Sequence, residues 1–472
     1  MRKYLLIGAS AFVLGAGTMA YVGQAARATT QPRAQTYHML ELFGNVFDTV
    51  QRQYVTPVDD KKLIEAALSG MLTSLDPHSD YLNPEAYAEM QDMTRGEYGG
   101  LGIEITSDEG VIKVITPIDG TPAARAGIKA GDYITAVNGE TVIGLTVNDA
   151  VKKMRGKAGE PVTLTIAREK TDPFDVKLVR EVIQPKSVTY KEEGDFGYLR
   201  LASFNEKATA ETKAAIDALR AKNPHMKGLV LDLRNNPGGL LDQAVSISDL
   251  FLNGGEVVSQ RGRDPHDIER YNAHPGVKLG GLPVVVLINS GTASAAEIVA
   301  GALKDRHRAE IVGLTSFGKG SVQTVIPLRG GLDGAVKITT ARYYTPSGAS
   351  IQKTGIEPDL EVAETREEAQ QAANQAFQFS EASFHNALDA DEGKIRKGAH
   401  KPAEAPPTGF DEKKGDFQLT RALDVLKYGS VEATPKLPKP AATLAEATLL
   451  RGAHGTAVKP GSAASAPAVK PN

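Results

Sequence analysis

The chain has 472 residues, 41% of them hydrophobic and 24% charged, which is too long for one ordinary core and has the balance of a globular protein with two to four domains. Its formal net charge is −3, with no long basic run, which argues against nucleic acid as the main partner. It has no cysteine, so disulfides, thiolate catalysis and cysteine-ligated zinc are excluded.

The first stretch, MRKYLLIGASAFVLGAGTMAYVGQAARATT, carries Arg2 and Lys3, an apolar run from Tyr4 to Val22, and a small-x-small site at Ala26-Arg27-Ala28. That is the pattern of an export signal over 1–28, cut after Ala28. The other reading is an uncleaved membrane anchor, since the run is near the lower limit for spanning a bilayer. Either way the bulk of the chain is expected outside the cytoplasm, and a cysteine-free chain suits an oxidising compartment.

Residues 29–95 read as a helical region. YHMLELFGNVFDTVQRQYV places Leu40, Phe43, Val46, Phe47 and Val50 on one stripe, and DDKKLIEAALSGMLTSLDPHS repeats the idea before Pro77. Over 96–183 short strands are punctuated by turns, with Asn138-Gly139 a strong hairpin signal. In YGGLGIEI the glycines 99, 100 and 102 precede a strand over Leu101–Ile105. Such a loop directs backbone N–H groups at a carboxylate, and the strand edge accepts an added peptide strand. Gly100, Leu101, Gly102 and Ile103 are thus candidate peptide-binding residues. The helix Thr146–Arg155 forms the other wall, with Val147, Val151 and Met154 facing the ligand's last side chain. Apolar walls predict apolar, uncharged C-termini as ligands. The plainer reading is a glycine turn without a ligand.

Residues 184–362 alternate apolar strands with helices, the pattern of an α/β sheet buried on both faces. Residues 363–428 read as a helical C-terminal extension, and 429–472 as an unstructured tail.

In INSGTASAAEIVAGALKD, Ser294 follows a strand and opens a helix. The N–H of Ala295 there is free to face an oxyanion. Plain N-capping is the competing reading. A nucleophilic serine needs a base. His307 lies at the far end of the same helix, about 20 Å away. Lys319, between Gly318 and Gly320, serves only if an apolar setting lowers its pKa toward neutrality. Ser316-x-x-Lys319 with Lys353-Thr354-Gly355 formally matches penicillin-recognising signatures, but without their helix or strand context.

GLVLDLRNNPGGLLDQAVSISDLFL, VVVLINSGTASAAEIVAGALKD, GLTSFGKGSVQTVIPL and ITTARYYTPSG…IQKTGIEPD, in this order, resemble the carboxy-terminal processing peptidases, tail-specific serine proteases with a Ser-Lys dyad. The resemblance spans 36–362, with a PDZ-like module in the family's position. It implies an α/β, crotonase/ClpP-like core of stacked sheets and helices with an inserted PDZ domain. It implies Ser294 as nucleophile, Lys319 as base and Gln323 as the residue orienting the lysine amine. The oxyanion hole would be the Ala295 N–H with that of Gly238 or its neighbour Gly239, Gly238 being preferred. Residues four apart on a strand lie about 13 Å from each other, so GKGS must curl for Lys319 and Gln323 to meet. No metal or cofactor is implied. Expected partners are protein substrates with apolar C-terminal tails in the periplasm or cell envelope, in some members reached through a lipoprotein adaptor. The N-terminal helices and the segment after Glu364 are candidate assembly elements of a homo-oligomer. The non-enzyme alternative is a catalytically inert PDZ scaffold.

Overall fold

The computed structural model describes residues 34–437, apart from 109, 119, 265, 277–278, 370–379, 391–403 and 412–414. The expected export signal and residues 438–472 of the expected tail lie outside the described residues. The chain divides between Thr73 and Ser74. The break falls inside 29–95, the stretch read from sequence as a helical region.

The first unit holds α1 (34–53) and α2 (Asp60–Thr73). Asp59 starts α2, its carboxylate accepting the N–H of Lys62 at 3.2 Å. In α1, Tyr37, Leu40, Phe43 and Val46 are exposed.

The second unit opens with a turn at Asp76–Ser79, then β1 (Asp80–Leu82) and α3 (Pro84–Arg95). Asn83 caps α3, Pro84 fills its first position, and Gly96 ends it in the left-handed region at φ 75°. A small domain follows: β2 (Tyr98–Gly100), β3 (Ile103–Asp108), β4 (Val111–Pro117), α4 (Pro122–Arg125), β5 (Tyr133–Val137), β6 (Glu140–Thr141), α5 (Val147–Met154), β7 (Pro161–Ala167), β8 (Phe174–Val179) and β9 (Glu181–Ile183). Its sheet runs β3-β4-β5-β7-β8, with β6 beside β5. Ile112, Ile134, Leu164 and Ile166 are fully buried in its core. Asn138 and Gly139 turn the β5–β6 hairpin with φ of 52° and 80°, as their sequence requires. The strands entering and leaving, β2 and β9, pair with Tyr98 opposite Ile183.

The larger domain contains β10 (Val188–Glu193), β11 (Phe196–Leu201), α6 (Ala208–Lys222), β12 (Leu229–Asp232), α7 (Leu241–Phe251), β13 (Gly255–Arg261), β14 (Ile268–Ala273), β15 (Val284–Ile288), α8 (Ala295–Asp305), β16 (Glu310–Gly313), β17 (Ser321–Pro327), β18 (Ala335–Tyr344) and β19 (Leu360–Glu361). One sheet runs β10-β11-β12-β15-β16-β19, parallel from β11 onward. Both its faces are covered, which is why its strands read as continuous apolar runs. Leu229, Leu231, Val284, Val286 and Ile288 face α6, α7 and α8. Val230, Val285 and Leu287 face the last described helix, α9 (Phe417–Tyr428). The second sheet, β1-β18-β13-β14 with β17 beside β18, is antiparallel.

The extension after 362 is helical at α9, but 380–390 is irregular apart from a single turn at Glu381–Ser383. Arg234, at the end of β12, is buried and donates to Asp232, Asp416 and Gln418, tying α9 to the sheet. Val431 and Leu437 pack on the α9 cluster. The described part of the expected tail, 429–437, is therefore structured.

Candidate active site

Ser294 stands where β15 gives way to α8. All of β15 is buried, and the turn after it is pinned on several sides. Asn289 Oδ1 accepts the N–H groups of Asn235 and Gly291 at 2.9 and 3.0 Å, and Thr292 Oγ1 donates to Leu233 O at 2.8 Å. Ala293 N–H donates to Asn236 O at 2.9 Å. These bonds hold Ser294 at φ 54°, ψ −117°, where a non-glycine residue is strained by roughly 1–3 kcal/mol. Strained backbone of that kind clusters at active sites, ligand clamps and switch regions. Ser294 is also the residue before the first helical one, the N-cap position that the sequence offered as the competing reading.

Gly238 packs directly on this turn. A Cβ there would lie 2.8 Å from Ala293 O and Ser294 Cβ, and 2.9 Å from Ala295 N, and its φ is +98°. Glycine is needed to leave the space before the Ala295 N–H open. The Gly238 N–H itself donates to Asn236 Oδ1 at 2.9 Å. Gly239, at φ +146°, lines the same cleft as Ser294.

Lys319 lies in the loop before β17. Gly318 has φ +94°, and a Cβ on Gly320 would lie 2.4 Å from Gln352 N, so the loop is pressed against a neighbouring strand of chain. β17 does not begin until Ser321, and its register shifts between Val322 and Gln323. Curl and bulge together bring Gln323 to the lysine: the Lys319 amine donates to Gln323 Oε1, and to Ser321 O at 3.3 Å. Gln323 Nε2 donates to Ser321 Oγ at 2.9 Å and Thr339 Oγ1 at 3.1 Å, which turns the amide oxygen toward the amine.

Ser294 and Lys319 open on one cleft of about 610 Å³, with His78, Leu240 and Tyr343 among its walls. The amine is hydrogen-bonded to Gln323 and Ser321, not to Ser294. Burial lowers it from 10.5 to about 8; the carboxylates of Glu381 and Glu297 act against that fall, and Lys337 adds to it.

Sequence reasoning missed Glu297, although Ser294-x-x-Glu297 is a capping-box spacing. Glu297 is fully buried. It accepts the N–H of Ser294 at 2.8 Å, Ser316 Oγ and the Gly318 N–H at 2.6 Å each, and the Lys319 N–H at 2.9 Å. One carboxylate therefore ties the backbone of the serine to that of the lysine loop. Burial pushes it up to about 7, its hydrogen-bond donors pulling the other way.

The rivals are placed apart. His307 is exposed beyond the far end of α8. Ser316 is fully buried, donating to Glu297 and accepting the Ile356 N–H at 2.7 Å, so it presents no hydroxyl to a ligand. Lys353 pairs with Asp389 at 3.0 Å.

In the small domain Gly100 ends β2, Leu101 is buried and Ile103 opens β3. Gly102 has φ +72° and no room for a Cβ beside Thr121. On α5, Val147 packs against the core and Val151 is half-buried. Met154, at 7% exposure, belongs to that core.

Residues 195–362 match peptidase family S41, residues 113–168 match the PDZ domain, and residues 5–86 match the activating protease CtpB N-terminal domain. A carboxy-terminal-processing protease of Bartonella bacilliformis is 48% identical over 432 residues, covering 90% of this chain and 96% of that protein. A probable CtpA-like serine protease of Staphylococcus aureus is 38% identical over 327 residues, covering 68% of this chain and 64% of that protein. Among solved structures, the photosystem II D1 C-terminal processing protease is 34% identical, with a TM-score of 0.42, over 67% of this chain and 91% of that one. With close to half its residues shared along nearly the whole of the Bartonella protein, the chain belongs to the carboxy-terminal processing proteases, with a peptidase S41 domain and a PDZ domain.

Proposed function

We propose that the protein is an exported serine endopeptidase that binds protein C-termini through its PDZ domain and cuts the chain by a Ser-Lys acyl-enzyme mechanism. The observation that carries this reading is the cleft shared by a strained serine at a helix N-terminus and a lysine whose amine is lowered to about 8. An amine with that pKa is neutral in a useful fraction of molecules near neutral pH.

In the proposed reaction the Lys319 side chain swings from Gln323 and Ser321 toward Ser294. Ser294 Oγ attacks the scissile carbonyl while Nζ takes its proton. The Ala295 N–H and an N–H of the Gly238-Gly239 pair hold the oxyanion. In the state described here the Gly238 N–H is engaged by Asn236, which favours Gly239 unless that bond opens. Collapse breaks the C–N bond, and Nζ returns its proton to the departing amine. Water then attacks the acyl-enzyme with Lys319 again as base, freeing Ser294. Gln323 parks and orients the amine between steps.

A C-terminal tail would add as a strand to the edge of β3 beside α5, its carboxylate on the loop before β3 and its last side chain against Val147 and Val151. Export rests on the apolar N-terminal pattern; among the described residues no helix is long and apolar enough to cross a membrane. Assembly into a homo-oligomer, and delivery of substrates by a lipoprotein adaptor, belong to the same proposal. The apolar side chains exposed on α1 favour assembly.

The test is cleavage of an unfolded protein with an apolar tail by the wild type, Ser294→Ala and Lys319→Ala. Cleavage by the wild type alone is expected. Equal cleavage by all three removes the dyad, and tail binding without cleavage by the wild type leaves the inert scaffold.

A further inference from the structure

Two parts of the chain outside the S41 match meet behind Lys319: the turn Asp76–Ser79 and the segment 380–390. Asp76 folds the turn, its carboxylate accepting the N–H groups of His78 and Ser79 at 2.8 and 2.9 Å and Ser79 Oγ at 2.7 Å. On one side Ser79 Oγ accepts the Thr339 N–H at 3.1 Å, and Thr339 Oγ1 accepts Gln323 Nε2, the amide that holds the lysine amine. On the other side His78 Nε2 lies 3.0 and 2.8 Å from the two oxygens of Glu381. Glu381 is fully buried and also accepts Gln352 Nε2 at 2.9 Å. Gln352 Oε1 in turn accepts the N–H of Gly320, next to Lys319, at 2.9 Å. Glu381 is anchored by its own N–H to Phe317 O at 3.0 Å, and Phe384 packs edge-on against His78. His78 itself lines the cleft with Ser294 and Lys319.

We propose that His78 is a positioning residue for the lysine base: with Ser79 it brackets Lys319, fixing the side chain through Thr339 and Gln323 and the backbone through Glu381 and Gln352. The proposal rests on the Ser-Lys reading given above. A buried carboxylate must be matched by donors and opposite charge. His78 Nε2 stands against both Glu381 oxygens, and the two groups carry opposite charges when the imidazole is protonated. When it is removed, the Glu381 carboxylate, whose field already acts on the Lys319 amine, loses that partner. The charged groups facing the amine are Glu297 from α8, Glu381, Asp76 from the turn and Lys337 from β18. Those facing His78 are Glu381, Asp76 through the backbone, and Lys319 and Lys337 across the cleft.

The signature is a pair of opposite displacements. In His78→Ala the amine holds its proton more tightly, so the acid limb of kcat/KM moves to higher pH. In Glu381→Gln it moves to lower pH. Each change lowers kcat about tenfold with KM within about twofold, because the base is misplaced and not the substrate. The double variant loses less than the two singles combined. His78→Gln, which keeps a donor, recovers most of kcat.

The experiment compares these full-length variants with Ser294→Ala and Lys319→Ala, using steady-state cleavage of the unfolded apolar-tailed protein across the pH range and thermal melting as the folding control. Limbs displaced in opposite directions, in variants that melt like the wild type, support the proposal. Limbs of His78→Ala and Glu381→Gln that coincide with the wild type, or move together, overturn it while Ser294→Ala and Lys319→Ala stay inactive. Activity in either of those last two overturns the dyad instead. Should His78→Ala not fold, Glu381→Gln carries the same test through its own limb.

Discussion

Lys319→Met should abolish cleavage and stabilise the fold at neutral pH. Burial holds the amine at about 8 against 10.5 in the unfolded chain, which corresponds to about 3 kcal/mol of penalty on the ammonium. The amine is only partly buried by surface exposure, so screening by cleft water trims this to about 2 kcal/mol. Gln323 Oε1 loses its partner in the variant, a cost of about 1 kcal/mol. A net gain of about 1 kcal/mol remains. The sign follows from a depressed folded pKa on a base: the lysine's contribution is intact above 10.5 and is lost as pH falls through 8. The variant's advantage should therefore be full at pH 7 and shrink between pH 8 and 10.5. Urea melts of both proteins across that range read it directly. A variant no more stable at pH 7, with a difference that does not change toward pH 10, would show that the amine is solvated and the reasoning wrong.

Three further outcomes are expected. Gly238→Ala forces a methyl to within 2.8 Å of Ser294 Cβ and 2.9 Å of Ala295 N, so kcat should fall about 10²–10³-fold, as for loss of an oxyanion donor; activity within tenfold of wild type speaks against the assigned hole. Glu297→Gln offers one oxygen where the carboxylate offers two and should cost about 3 kcal/mol along with most of kcat. The carboxyl's folded pKa of about 7 exceeds its ordinary 4.5, so its contribution is fully present below 4.5 and lost as pH rises through 7. The Gln variant should lack that decline in denaturant melts. Val151→Glu places a charge on the proposed wall for the ligand's last side chain and should weaken binding of an apolar-tailed peptide about tenfold or more by fluorescence anisotropy, with little effect on melting.

The parallel sheet was legible because both faces are covered: Val284–Ile288 is apolar throughout, and it is buried throughout. The hairpin at Asn138-Gly139 was legible because its backbone demands positive φ. Ser294 and Lys319 were candidates from local context, and Gln323 came only with the family resemblance. What no local pattern revealed were the long-range partners. Glu297 carries a helix-cap spacing whose second use, on Gly318 and Lys319, appears only when the loop folds back. His78 and Glu381 are 303 residues apart, and 380–390 was read as helix because its composition, not its contacts, is visible in sequence. On α5 the periodicity marked an apolar side, of which Met154 belongs to the domain core and Val147 packs against it.

The central claim, that the Lys319 amine takes the Ser294 proton, has a direct test because the chain contains no cysteine. Lys319→Cys creates a single thiol, and alkylation with bromoethylamine rebuilds a lysine-like amine at that position alone. The account predicts an inactive thiol form, recovery of cleavage on aminoethylation, and an acid limb of kcat/KM at lower pH than in the wild type, since the sulfur makes the amine less basic. Complete alkylation by mass with no recovered cleavage, or recovery with an unmoved limb, would contradict it.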